Sequence, residues 1–155
     1  MSLIHQNLYK KDNLTGIEMQ PYIEKLSDHL LSTYQVEEGD IKIKTEIEDL
    51  TLDVETVVPI GLIINELISN ALKYAFPDQR NGVISISLSE KDEQLLLDIS
   101  DDGIGLTENQ LTTKTETFGH SLIRAFRSKL DAEIIISSEN GTQVSLIVKN
   151  YKKVL

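Results

Sequence analysis

The sequence predicts an α+β fold, a two-layer α/β sandwich in which a mixed sheet carries its helices on one face. Three observations carry that prediction. Ile41, Ile43, Thr45 and Ile47 alternate with Lys42, Lys44, Glu46 and Glu48, the period of a half-buried strand. Four further runs, Val83 to Ser89, Gln94 to Ser100, Glu133 to Ser138 and Thr142 to Lys149, read as strands and pair off as two hairpins turning at Glu90 to Glu93 and at Glu139-Asn140-Gly141. Apolar residues recur at helical spacing in Tyr22 to Tyr34, in Val54 to Phe76 and in Gly119 to Leu130.

From the N-terminus, Leu3 to Tyr9 has apolar residues near helical spacing and reads as the end of a helix that began upstream, stopped by the polar run Lys10 to Asn13. Gly16 to Met19 looks extended. Pro21 suits a helix's first turn and opens a helix with Ile23, Leu26, Leu30 and Leu31 on one face. Polar Asp49 to Asp53 leads through a short strand into the long apolar helix, and Pro77 to Gly82 is a turn cluster. Asp101 to Thr117 is polar, holds two early glycines, lacks an apolar period and reads mostly as a loop. No internal repeat, low-complexity tract or interdomain linker interrupts the chain; its seam falls at Lys10 to Gly16.

Length and charge narrow the classes of function. The 155 residues suit one domain, and 15 Lys+Arg against 25 Asp+Glu leave a net charge of −10. With 0 Cys there is no disulfide, thiolate metal site or Cys nucleophile, which fits a reducing compartment and makes the cytoplasm the expected location. Val57 to Ile64 falls short of the ~20 residues that cross a bilayer, and the N-terminus lacks a signal-peptide pattern, so no membrane span is expected. A pI near 4.7 argues against a nucleic-acid surface. Phosphate, if bound, must be held by local geometry or by a metal.

Four features carry chemistry. Glu66, Asn70 and Lys73 stand at i, i+4 and i+7 on the long helix, within about 60° of one another, on a circumference otherwise largely apolar. The stripe is either an exposed face with an ion pair or a set of groups that coordinate something, since buried polar groups are costly unless paired. Asp101-Asp102-Gly103-Ile104-Gly105 ends a strand in Asp-x-Gly-x-Gly, where the glycines let backbone approach a ligand and the Asp can accept from an exocyclic amine. A tight turn after an edge strand would explain the glycines but not the apolar Ile104 and Leu106. Thr117-Phe118-Gly119-His120 opens a helix whose first-turn N–H groups offer an anion site. Gly141-Thr142 follows a hairpin turn, a position that more often serves only the turn.

In this order the features resemble the GHKL ATP-binding (Bergerat) fold of DNA gyrase, the heat-shock chaperone ATPase, mismatch-repair ATPases and sensor histidine kinases, and the sequence looks like the last group. Asn65 to Phe76 is similar to the kinases' N-box, Asp101 to Gly105 to the first glycine box, Phe118 to Leu122 to the second, and Gly141-Thr142 to the last. Leu3 to Tyr9 followed by Gly16 to Ile23 resembles the junction of dimerisation helix and catalytic domain in kinases related to the HWE group.

The resemblance implies residues 1–13 as the tail of a dimerisation and phosphoacceptor helix and residues 14–155 as the ATP-binding catalytic domain, with ATP and Mg²⁺ as cofactors. By it, Asn70 would hold Mg²⁺, Lys73 would contact the phosphates and Tyr74 would stack on adenine. Asp101 would accept the adenine amino hydrogen bond with Thr142 beside it, and Gly103, Gly105, Gly119 and His120 would line the nucleotide. Glu66 stands where hydrolytic relatives keep a water-activating carboxylate and many histidine kinases a second Asn, leaving it as a base or as part of the metal's surroundings. His120 departs from the usual Leu, Asp131 from the usual Gly, and Lys114 is the only cation of the Leu106 to Phe118 loop. His5 lies where the second dimerisation helix would end, so it is not the acceptor.

The implied activity is transfer of the ATP γ-phosphoryl to a histidine on a dimerisation domain that this chain lacks. The implied partners are that domain, in a homodimer, and a response regulator, with no nucleic acid; the full-length protein could be membrane-anchored. The alternatives are an anti-sigma-factor-like serine kinase and a degenerate nucleotide-binding module without transfer.

Overall fold

The computed structural model describes residues 16–34, 40–75, 81–104 and 130–154. Its elements run β1 (Ile17–Glu18), α1 (Met19–Thr33), β2 (Ile41–Ile47), β3 (Thr51–Leu52), α2 (Val54–Asn70), a π-helical turn (Ala71–Ala75), β4 (Gly82–Lys91), β5 (Gln94–Asp101), β6 (Ala132–Ser137) and β7 (Gln143–Val148). The main sheet has the order β2-β4-β5-β7-β6, with β2 parallel to β4 and every other pair antiparallel, so it is mixed as the sequence predicts.

Alternation decides which side of the sheet is covered. Ile84, Ile86 and Leu88 of β4, Leu95, Leu97 and Ile99 of β5, and Val144, Leu146 and Val148 of β7 are all buried on one face. The opposite face carries Ser85, Ser87, Ser100 and Gln143, and on it Ser145 donates to the Asp98 carboxylate across the β5–β7 pair. Both helices join the covered side: Tyr22, Ile23, Leu26 and Leu30 of α1, and Val57, Ile60, Ile64, Leu67 and Ile68 of α2, belong to one core with the inward strand residues. Val54–Lys73 is long and apolar enough to cross a bilayer by length and composition, a longer stretch than Val57 to Ile64 suggests, yet it packs as the core helix.

Helix starts follow local chemistry. α1 begins at Met19, ahead of the expected Tyr22, because the Met19 N–H finds the Leu50 carbonyl at 2.9 Å, and Pro21 falls in the first turn. α2 is capped by Asp53, whose carboxylate accepts from the Glu55 N–H at 3.2 Å. Asp53→Ala is expected to cost about 1 kcal/mol, read from the urea unfolding midpoint.

A small antiparallel pair, β1 with β3, forms a second sheet, and the chain's last described residues join it through the Leu52–Lys153 bridge and the Val154 N–H to Thr51 carbonyl bond of 2.8 Å. The β4–β5 hairpin is tighter than expected, turning on Asp92 and Glu93 with φ of 53° and 61°, the geometry that matches strand twist in two-residue hairpins. Asp131, where the resembled kinases usually have Gly, has φ 43°, a conformation Asp tolerates better than most residues. The expected Leu3–Tyr9 helix, the Pro77 end of the turn cluster, most of the Asp101–Thr117 loop and nearly all of the Gly119–Leu130 helix lie outside the described residues.

Tyr22 is buried, and its hydroxyl has no hydrogen-bond partner among the described residues. Burial pushes its pKa from 10.0 up to about 12. An unfolded chain releases that proton near 10, so the neutral buried phenol favours folding below pH 10 and the benefit disappears as pH rises toward 12. Tyr22→Phe removes an unpaired buried hydroxyl and is expected to raise stability by about 1 kcal/mol. It should also flatten the decline in unfolding midpoint between pH 10 and 12.

Candidate functional site

Six predicted residues lie on three parts of the chain: Glu66, Asn70 and Lys73 on the C-terminal part of α2 and the turn after it, Asp101 and Gly103 at the end of β5, and Thr142 just before β7. On α2, Asn70 donates its amide N–H to a Glu66 carboxylate oxygen at 3.4 Å, one turn away, so the polar stripe is a connected pair. The helix then changes pitch. Ala71–Ala75 form a π turn, a device that re-aims side chains and recurs at functional sites. Lys73 lies on that turn, exposed, with its ammonium directed at Tyr34 at the end of α1.

Tyr34 is a residue that sequence reasoning missed. The Lys73 ammonium lies 5.7 Å from its ring centroid, within cation–π range. Its phenol is held below the usual tyrosine pKa, first by the hydrogen bond from the buried Ser69, then by hydrogen bonding and charge from Lys73, against burial and the Glu66 charge. No motif announces Tyr34; only the packing of α1 on α2 brings it to the stripe.

Across the layer, Asp101 closes β5 and shares the covered face with Leu97 and Ile99. Its Oδ1 accepts the Gly103 N–H at 2.9 Å and the Thr142 N–H at 3.3 Å, while its own N–H donates to the Thr142 carbonyl at 2.9 Å. Asp102 is pinned in the other direction: it accepts the Val83 N–H at 2.8 Å and returns its N–H to the Val83 carbonyl at 3.2 Å. The Asp-x-Gly turn is therefore held from both neighbouring strands rather than hanging from an edge.

Gly141 makes that junction possible. A Cβ there would sit 1.9 Å from the Asp101 carbonyl oxygen, and its φ is +106°, a conformation side chains rarely adopt. Gly141-Thr142 is thus more than a turn signal: it is the place where the β6–β7 turn presses against the end of β5.

A cavity of about 410 Å³ at the same sheet end is lined by Lys44, Ser85, Ser100, Asp102 and Gln143 together with Asp101 and Thr142, and no α2 residue lines it. Among the described residues no group of three His, Cys, Asp or Glu could hold a metal. The Glu66–Asn70 pair offers a carboxylate and an amide oxygen instead, a donor set suited to Mg²⁺, which keeps several waters and takes its remaining ligands from phosphates. Gly105, Gly119, His120, Lys114 and the Tyr74 side chain lie outside what the structure describes.

Residues 55–152 match the family of histidine kinase-, DNA gyrase B- and HSP90-like ATPases, a stretch that takes in α2, the Asp101 turn and Gly141-Thr142. This chain belongs to that ATPase family. Residues 1–34, as far as the C-terminal cap of α1 at Tyr34, match a second family described as histidine kinase. For this GHKL member, the blue-light-activated histidine kinase 2 of Erythrobacter litoralis is similar at 32% identity over 110 residues, 70% of this chain and 32% of that protein. The chain thus spans about a third of that relative's length. The solved blue-light-activated histidine kinase EL346 of the same organism superimposes with a TM-score of 0.79 at 25% identity, over 95% of this chain and 45% of that one. An anti-sigma F factor of Bacillus velezensis is 26% identical over 116 residues, 68% of this chain and 78% of that protein. The GHKL fold expected from the sequence is the fold found.

Proposed function

We propose that this GHKL chain is the ATP-binding catalytic part of a sensor histidine kinase. It delivers the γ-phosphoryl of ATP to a histidine on a dimerisation domain, in a homodimer, for passage to a response regulator. The observation that carries this reading is the histidine kinase match over residues 1–34, which takes in α1 and precedes the ATPase match over residues 55–152. The proposed division places residues 1–13 in the dimerisation helix and 14–155 in the catalytic domain, in the cytoplasm.

In this reading Asp101, fixed by Gly103 and Thr142, accepts a hydrogen bond from the adenine amine. A carboxylate is acceptor-only and so selects an amine over a carbonyl at that position. Asn70 is the residue that would hold Mg²⁺, and with its amide nitrogen engaged by Glu66 the coordinating atom would be its carbonyl oxygen. When bound, that ion supplies positive charge against the phosphates, which an acidic chain otherwise repels. Lys73 adds an ammonium to the phosphates, Tyr74 stacks on the base, and Gly105, Gly119 and His120 line the nucleotide. The Glu66–Asn70 hydrogen bond favours an orienting role for Glu66 over that of a base. Phosphoryl transfer needs mainly positioning and charge neutralisation, and the acceptor imidazole supplies the attacking nitrogen.

The likeness to an anti-sigma F factor, of which the chain covers 78%, favours a second reading, a serine kinase of the same fold. Incubation with γ-labelled ATP and a supplied acceptor-helix domain separates the two. Acid-labile label on a histidine supports the proposal; acid-stable label on serine, or label lost to water, overturns it.

A further inference from the structure

We propose that Tyr34 is a positioning residue that holds the Lys73 ammonium in place for the nucleotide's phosphates. The proposal rests on the reading of Lys73 as a phosphate contact. A lysine carries its charge on four rotatable carbons, so a lysine that must meet phosphates on an exposed stripe gains from anything that limits where the ammonium goes. Tyr34 meets that need from a different element. It stands at the C-terminal cap of α1, where its N–H donates to the Leu30 carbonyl at 3.1 Å, and α1 is locked into the core by Tyr22, Ile23, Leu26 and Leu30.

From that fixed end its ring lies 5.7 Å from the Lys73 ammonium. Ser69, buried on α2 one turn before Lys73, is the largest influence holding the Tyr34 phenol below the usual tyrosine pKa. Tyr34 thus meets the Lys73 ammonium beyond the end of α2, with Ser69 and the Glu66 charge both bearing on its phenol. The arrangement also ties Lys73 to the segment that matches the histidine kinase family over residues 1–34, of which Tyr34 is the last residue. A displacement of α1 would therefore change the position of the phosphate-facing cation without touching the adenine cradle at Asp101.

The test uses the full chain, Mg·ATP calorimetry and NMR of the nucleotide-free protein. Lys73→Met should weaken Mg·ATP binding about tenfold, as loss of a charge-assisted contact does. Tyr34→Leu should weaken it about threefold, with Tyr34→Phe in between because the ring remains. Tyr34→Leu added to Lys73→Met should cost nothing more. Without nucleotide, the Lys73 Hε protons should show an upfield ring-current shift that Tyr34→Phe keeps and Tyr34→Leu abolishes. If Lys73→Met weakens binding while the Tyr34 variants do not, or if the two losses simply add, Tyr34 is structural and the inference falls with the site intact. If Lys73→Met itself leaves binding unchanged, the phosphate role of Lys73 falls and the inference with it.

Discussion

Gly141→Ala is expected to destabilise the chain by about 3–5 kcal/mol and to abolish measurable nucleotide binding. Two effects combine. The added Cβ would lie 1.9 Å from the Asp101 carbonyl oxygen, a backbone atom that cannot swing aside as a side chain end can. The φ of +106° adds strain of about 1–3 kcal/mol for any residue with a Cβ. Relief requires the β6–β7 turn to lift off β5, which breaks the Asp101–Thr142 backbone pair and the Thr142 N–H bond to Oδ1. Urea unfolding would show the loss, and an unchanged midpoint would mean that the junction at Gly141 is not closed as described. Against a typical domain stability of about 5–15 kcal/mol, the variant should remain partly folded, so its binding can still be tested.

Asp101→Ala is expected to weaken adenine nucleotide binding by at least about 100-fold while costing only about 1–2 kcal/mol of stability. The stability loss is modest because the Gly103 and Thr142 amides it orphans are half-buried and water can reach them in part. The binding loss is larger because the carboxylate both orders the Asp-x-Gly turn and is proposed to read the base. The signature is selectivity: guanine offers a carbonyl where adenine offers an amine, so the native chain should prefer ATP to GTP and the variant should lose most of that preference. Calorimetry with both nucleotides decides it. An unchanged ATP to GTP ratio would remove Asp101 from base recognition even if both affinities fell.

The parts that proved legible in the sequence are those where a single periodicity or a short motif determines the outcome. Ile41 to Ile47 alternates because one face must be buried, and the structure pairs that strand in register with β4. Asp101 to Gly103 declared a strand ending in a turn, and the structure gives that turn its hydrogen bonds. What was not legible depends on contacts between distant segments. The π turn at Ala71–Ala75 leaves no periodicity signal, because five residues are too few to separate its pitch from that of the α-helix before it. Tyr34 looks like the frayed end of an amphipathic helix until α1 packs on α2 and the ring meets Lys73. Asp102 reads as the spacer of a glycine motif, yet it staples β5 to Val83. The length of the apolar helix is likewise ambiguous alone, since Val54–Lys73 passes for a membrane span by composition and becomes a core helix only through the sheet it covers.

In the proposed function, nucleotide binds on the covered side of the sheet, between the polar stripe of α2 and the Asp101 turn. Mapping backbone amide shifts while titrating Mg·ATP tests it most directly. The largest changes are expected on Asn70 to Lys73, Gly103 and Thr142, with Ser85 and Ser87 on the solvent-facing side unmoved. Saturation with shifts clustered around Lys44, Ser85 and Gln143, or with none at Asn70 and Gly103, would contradict it.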